Sequence, residues 1–403
     1  MRFLQASDGA SRAEVMFHAH RFLLRAGLAI GNVFAWIFVF EYFSLLTGSV
    51  PRALLGTLIM YALSQGITIL ATPLGAAFLR QGTRRMHLWS LVLVASAYVV
   101  LGGTLGGFFN EAPTAWGIAA FATLLGFYRA LYFIPYELNR AEVDHVRGER
   151  TLYEVLLALF PAFAGATLVL EAYAPLKLLF GAALFAGVSI LPAFSLPDIR
   201  ECFSYHYFET FGQLFNRRNR EMVWASFFDG MQGAALFLVW PLAVFLIVGF
   251  SYMTLGIVFS ATLLLLLLFR VFYRRFGGLK LSTYSAPVQI VFAVSGWVAR
   301  LAAGTPLSVV VADFYAYSVP SQRGTLTDPF VFEQAADNGS FIDEQTALKE
   351  IALAGGRIAF VIVVGGFVSS TPLIFAFGAA LLIAALAAGI SAFLAHHIHS
   401  PAY

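Results

Sequence analysis

Four charged residues stand inside long apolar stretches of this sequence: Arg129, Asp229, Asp313 and Arg357. An ionisable group at bilayer depth costs roughly 2.5–3.5 kcal/mol on insertion scales. It is kept where it pairs, or where it lines a path for solute or ion. A carboxyl in an apolar cavity can carry a proton through a transport cycle. Asp229 is the first expected carrier, about 12 Å into its run at 1.5 Å per residue, and Asp313 is the second. Arg357 is expected to bind an anionic solute or to pair with either Asp.

The elements that hold these residues follow from composition. Of 403 residues, 60% are hydrophobic and 12% charged, against about 45–50% and about 25% in soluble domains. No water-soluble fold hides that much apolar surface, and the same figures exclude disorder. The chain reads as an all-α integral membrane protein. A bilayer core needs about 20 apolar residues per helix, and about twelve such runs are present. They lie at 22–46, 54–79, 87–107, 115–138, 152–172 and 175–196, then at 222–248, 252–273, 283–303, 305–332, 347–368 and 371–395. The runs are continuous, not alternating, which argues against a β-barrel.

With the N-terminus inside, Arg and Lys sort into the connections after every second run. This positive-inside bias places both termini in the cytoplasm. The compact external loops fit a bacterial inner membrane. The first apolar run is long enough to span, so no cleaved signal is expected. Cys202 is the sole cysteine and makes no internal disulfide.

Landmarks recur at a shift of about 195 residues. Arg80, Gly82 and Arg85 match Arg275, Gly277 and Lys280. Arg129, Pro135 and Tyr136 match Arg323, Pro329 and Phe330. Glu154 matches Glu350. Six runs per half give parallel repeats, and solute sites tend to lie between such repeats. Duplicated charges read as structural or gating, so Arg129–Glu154 and Arg323–Glu350 are expected ion pairs. Asp229, Asp313 and Arg357 have no charged counterpart in the other half, which makes them the expected coupling and solute residues.

The layout resembles the major facilitator superfamily of secondary transporters. That family carries Gly-x3-Asp-Arg-x-Gly-Arg-Arg/Lys after its second helix. Here Gly75, Arg80, Gly82, Arg84 and Arg85 occupy matching places, while Leu79 holds the position of the family's Asp. The resemblance implies twelve helices in two six-helix bundles, a central cavity and alternating access, with these loop residues gating. It divides the chain into an N-terminal bundle at 1–198, a cytoplasmic linker at 199–221 and a C-terminal bundle at 222–403.

In the linker, Phe203, Tyr207, Phe211 and Phe215 fall at four-residue spacing ahead of Arg217, Arg218 and Arg220. That pattern predicts an amphipathic helix on the inner leaflet. Glu41 and Arg300 read as interfacial, and all eight histidines fall in loops or tails. No catalytic motif, metal-ligand set or nucleotide loop is present, so neither enzyme activity nor a cofactor or metal is expected. The expected partners are a small-molecule substrate and membrane lipids, not nucleic acid, with the protein a monomer. The sequence thus predicts a secondary transporter moving a small solute, with proton coupling plausible. The alternatives are a non-transporting scaffold or sensor on that fold, or a lipid-handling membrane protein.

Overall fold

The computed structural model describes residues 12–108, 114–143, 151–170, 173–276, 286–318 and 342–399. The first half contains α1 (Arg12–Thr47), α2 (Val50–Ala77), α3 (Thr83–Leu105), α4 (Thr114–Val143), α5 (Thr151–Leu170), α6 (Ala174–Val188) and the short α7 (Ile190–Ala193). The linker holds α8 (Tyr207–Gln213). The second half contains α9 (Arg220–Ala234), a π turn at Ala235–Val239, α10 (Trp240–Ile247), α11 (Tyr252–Phe276), α12 (Ala286–Leu301), α13 (Pro306–Ser318), α14 (Ile342–Ser370) and α15 (Leu373–His399).

Among the described residues, nine helical stretches are long and apolar enough to cross a membrane, and two shorter apolar helices accompany them. Their outward faces carry bare apolar side chains, such as Leu45, Phe163 and Ile374. Such faces are stable against lipid, where every backbone polar group must be satisfied within its own helix. The expected run at 305–332 is seen only as α13, and its remainder lies outside the described residues. Arg323, Pro329 and Phe330 go with it, as do Gly277 and Lys280.

Helix boundaries follow local chemistry. Prolines sit in the first turns of α2, α6 and α10, where a missing N–H is harmless. The tight connections α1–α2 and α10–α11 turn on Gly48 and Gly249, both at positive φ. Pro73, Pro135 and Pro161 lie inside α2, α4 and α5.

Helix packing repeats between the halves. α3 packs on α4 and α6, α1 on α5 and α6, and α2 on α4. In the second half α12 packs on α13 and α15, α9 on α14 and α15, and α11 on α13. The halves meet mainly along two pairs, α2 with α14 and α5 with α11, which exchange under the repeat, with a smaller contact between α4 and α14.

The linker differs from its expected form. Helix forms only over the seven residues Tyr207–Gln213, because Phe203 is drawn into a buried cluster ahead of it. Phe203 is buried before the helix and Phe215 is exposed past its end, so the four aromatics do not share one helical face.

Candidate functional site between the two halves

α2 and α14 run side by side through the middle of the molecule and carry polar groups toward each other. Arg357 on α14 donates from Nη1 to Gln65 Oε1 on α2 at 3.1 Å. Arg129 on α4 lies over the Tyr61 ring of α2, 5.9 Å from its centroid. Glu350, two turns before Arg357, is faced by Arg357, Lys349 and Arg129. Tyr98 on α3 donates to Asn32 Oδ1 at 3.0 Å and lies in the field of Arg129. Tyr61, Ser64, Gln65, Tyr128 and Glu350 are all buried.

This cluster carries an unusual polar deficit. Arg129 Nη1, Arg357 Nε, Gln65 Nε2, Glu350 Oε2 and the hydroxyls of Tyr61, Ser64 and Tyr128 are buried without a hydrogen-bond partner. Native interiors pair nearly all such groups, and each exception calls for an explanation. An unpaired buried donor or acceptor costs about 1–3 kcal/mol. Several of them, drawn from both halves, converge on one place.

The halves close on each other above and below this cluster. At the end of the molecule near the linker, Leu79, Ala76, Met86, Ile134 and Leu138 form one buried cluster with Phe203 of the linker and Ala347 of α14. Ser204 donates both N–H and hydroxyl to Glu344 Oε1 of α14, at 3.2 and 2.6 Å. At the far end, Phe34 and Phe38 of α1 pack on Tyr252 of α11, with ring centroids 6.3 and 5.8 Å apart. The Tyr252 hydroxyl donates to Glu41.

The other expected residues fall elsewhere. Asp229 is buried in the second half, accepting from Ser391 Oγ of α15 at 2.5 Å and from Gln232 Nε2 at 3.2 Å. It faces α15, away from the junction with α2. Asp313 pairs with Arg300 Nε at 2.7 Å, both side chains fully buried, and also accepts from Trp240 Nε1 at 3.0 Å. Trp240, Trp297 and Tyr317 enclose that guanidinium. Arg300 is therefore not interfacial, because a carboxylate at hydrogen-bond distance and three aromatic rings hold it inside. Arg357 pairs with neither Asp but with Gln65, which lay outside the expected set.

Arg129 and Glu154 make no ion pair among the described residues. Arg129 instead faces Glu350 across the boundary between the halves, since α4 reaches α14. The pairing expected for Arg323 with Glu350 lies outside the described residues. His20 and His87 are buried within α1 and α3, not in loops. His20 contacts the Ser189 carbonyl at 3.1 Å and the Tyr132 hydroxyl at 3.3 Å, and the two imidazoles lie 5.5 Å apart.

The motif loop holds its own half together. Gly82 has φ near +102°, and a Cβ there would collide with the Asp198 carboxylate. That carboxylate accepts from the Arg84 N–H at 3.1 Å, and the Arg84 guanidinium donates to the Leu196 carbonyl at 2.9 Å. A Cβ on Gly75 would press on the Ala130 carbonyl of α4. Arg80 and Arg85 are exposed.

No protein-family model and no curated protein sequence matches the chain. Its structure matches solved transporters over nearly their full lengths. The xylose transporter XylE from E. coli, in a partially occluded inward-open conformation, aligns with TM-score 0.63 and 12% identity, over 96% of this chain and 97% of XylE. The fold is that of the major facilitator superfamily. The nucleoside transporter NupG gives TM-score 0.56 and 14% identity, over 96% of this chain and all of NupG. The human organic anion transporter MFSD10 (TETRAN) gives 0.53 and 14%, over 95% and 98%. The departure from the superfamily loop pattern is local. Leu79 occupies the place of an acidic residue and is wholly buried against apolar neighbours.

Proposed function

We propose that this protein is a secondary transporter that carries a small solute by alternating access. In this reading the solute contacts Arg129, Arg357, Glu350, Gln65 and Tyr61. The observation that carries it is the polar cluster itself, built from both halves, rich in buried unpaired groups and flanked by one closure on each side. The solved transporters of like fold are titled for an organic anion, xylose and a nucleoside. Those solutes differ in charge, so the choice among them rests on the site. Proton coupling stays part of the proposal. Asp313 is a poor carrier in this reading because it sits 2.7 Å from Arg300 Nε, away from the shared cluster. Asp229 is a poor carrier because it turns from the shared cluster to Ser391.

The test uses thiol accessibility in a Cys202→Ser background, in native membrane vesicles. A cysteine at Phe38 reports the far closure and one at Ala347 reports the linker-end closure. A transporter gives reactivity at both positions, with crosslinking at one end raising reactivity at the other. If the two reactivities vary independently, the reading is lost. In the same setting the linker end is expected to face the cytoplasm.

A further inference from the structure

The cluster is rich in donors and poor in acceptors. Its unpaired buried donors include Arg129 Nη1, Arg357 Nε and Gln65 Nε2, with hydroxyls from Tyr61, Ser64 and Tyr128 that can donate as well. Against these stands the Glu350 carboxylate, with one oxygen unpaired. The charges point the same way. Arg129 and Arg357 repel each other across the site, and both attract Glu350. Lys349 adds little to the imbalance, because Glu137 of α4 and Asp229 of α9 face it as well as Glu350. From α2 come only Tyr61, Ser64 and Gln65. From α3 comes Tyr98, and from α4 come Tyr128 and Arg129. Two guanidinium groups thus lie in the field of one carboxylate whose Oε2 has no hydrogen-bond partner.

We propose that the solute is a small organic anion whose carboxylate-type group binds between Arg129 and Arg357, and that Glu350 is the internal charge that opposes it until protonated. The proposal rests on the reading above, in which this cluster contacts the solute. A planar guanidinium presents paired N–H groups matched to a carboxylate. An anion entering while Glu350 is charged is repelled by it and finds the guanidinium field already partly offset. A proton on the Glu350 carboxyl removes that repulsion and leaves both guanidinium groups for the ligand. Proton and anion are then taken up together, one charge offsetting the other, and released together when the site opens on the other side. A neutral ligand gives no such exchange, and a cation meets two like charges.

The rings of Trp36, Tyr61 and Phe121 pack beside the cluster, with centroids 5.2 and 5.4 Å from Trp36. A benzene ring is therefore a suitable probe body. The experiment measures thermal unfolding of the full-length protein in detergent with benzoate, benzamide or benzylamine, and with inorganic phosphate as a second anion. These runs are made at mildly acidic and mildly alkaline pH, since a ligand of the folded state raises its stability by mass action. Benzoate is expected to stabilise saturably and more strongly at the acidic pH, while benzamide and benzylamine have no effect. Arg129→Gln and Arg357→Gln each weaken benzoate by about tenfold or more. Glu350→Gln binds benzoate equally at both pH values, and about tenfold tighter than the parent at alkaline pH. That last outcome is a gain of binding, so misfolding cannot mimic it. If benzamide or benzylamine stabilises as well as benzoate and Arg357→Gln abolishes the effect, the site survives and the anion proposal falls. If benzoate stabilises the parent and both Arg variants alike, the site itself is wrong. If neither anion stabilises the parent or Glu350→Gln, the anion proposal is overturned.

Discussion

At the scale of single residues, buried charges divide into those with an ion-pair partner at hydrogen-bond distance and those without. Arg300 and Asp313 have one. Each is fully buried, the pair lies at 2.7 Å, and Trp240 supplies a further donor. Breaking such a pair leaves a naked charge and costs about 3–5 kcal/mol, whereas replacing both partners with apolar groups is close to neutral. Arg300→Met alone is therefore expected to lower the unfolding temperature sharply. The double variant Arg300→Met with Asp313→Leu is expected to recover most of the loss, as read by thermal unfolding in detergent. Asp229 is held by a serine and a glutamine, with Lys349 behind it. Asp229→Asn keeps acceptor capacity for Ser391, so pH-driven solute uptake in vesicles should persist. A complete loss of pH dependence in that variant would return the proton to Asp229.

At the scale of helices, the second half depends on close approach of backbones. A Cβ on Gly356 of α14 would collide with the Phe227 carbonyl of α9, and one on Gly230 of α9 with the Leu353 carbonyl of α14. In lipid the helices gain nothing from hiding apolar surface, so van der Waals fit of this kind holds them together. Gly356→Val should push α14 away from α9, at roughly 1–3 kcal/mol. It should also disturb Arg357, one residue on, so that solute-dependent stabilisation falls along with stability. A normal solute response in a destabilised Gly356→Val protein would separate the α9–α14 contact from the site.

At the scale of the whole molecule, the two halves are tied at both ends by contacts of different chemistry. The far end joins through Tyr252, Glu41 and the rings of Phe34 and Phe38. The linker end joins through an apolar cluster with Leu79, Phe203 and Ala347, beside Ser204 on Glu344. The two variants Tyr252→Phe and Phe203→Ala are expected to bias the molecule in opposite directions. The first raises thiol reactivity at a cysteine introduced at Phe38, and the second at one introduced at Ala347. Leu79→Asp places a carboxylate among apolar groups, which is costly without a partner. It should open the linker end further than Phe203→Ala does. Equal labelling in all three variants would show that these contacts do not govern access.

Long apolar runs alone already mark an integral, multi-pass membrane protein, because hydropathy is a local property that the bilayer reads directly. The sequence also marked Arg129, Asp229, Asp313 and Arg357 as residues out of place in their runs, since the cost of burying charge is paid wherever the chain folds, and Glu350 as the repeat counterpart of Glu154. Partnership was decided only by tertiary structure. The repeat pointed Arg129 to Glu154 within one half, yet α4 approaches α14 and sets Arg129 over the Tyr61 ring, within the field of Glu350. Gln65 drew no notice in the sequence because an uncharged amide in a helix carries no signal until Arg357 of the other half donates to it. Arg300 looked interfacial by depth alone, and its cage comes from three separate helices. His20 and His87 looked like loop residues because α1 and α3 extend past the apolar runs, and helix length there is set by packing on α4 and α6. Rotation of a helix about its axis decides which residues meet, and that angle is fixed by neighbours far away in the chain.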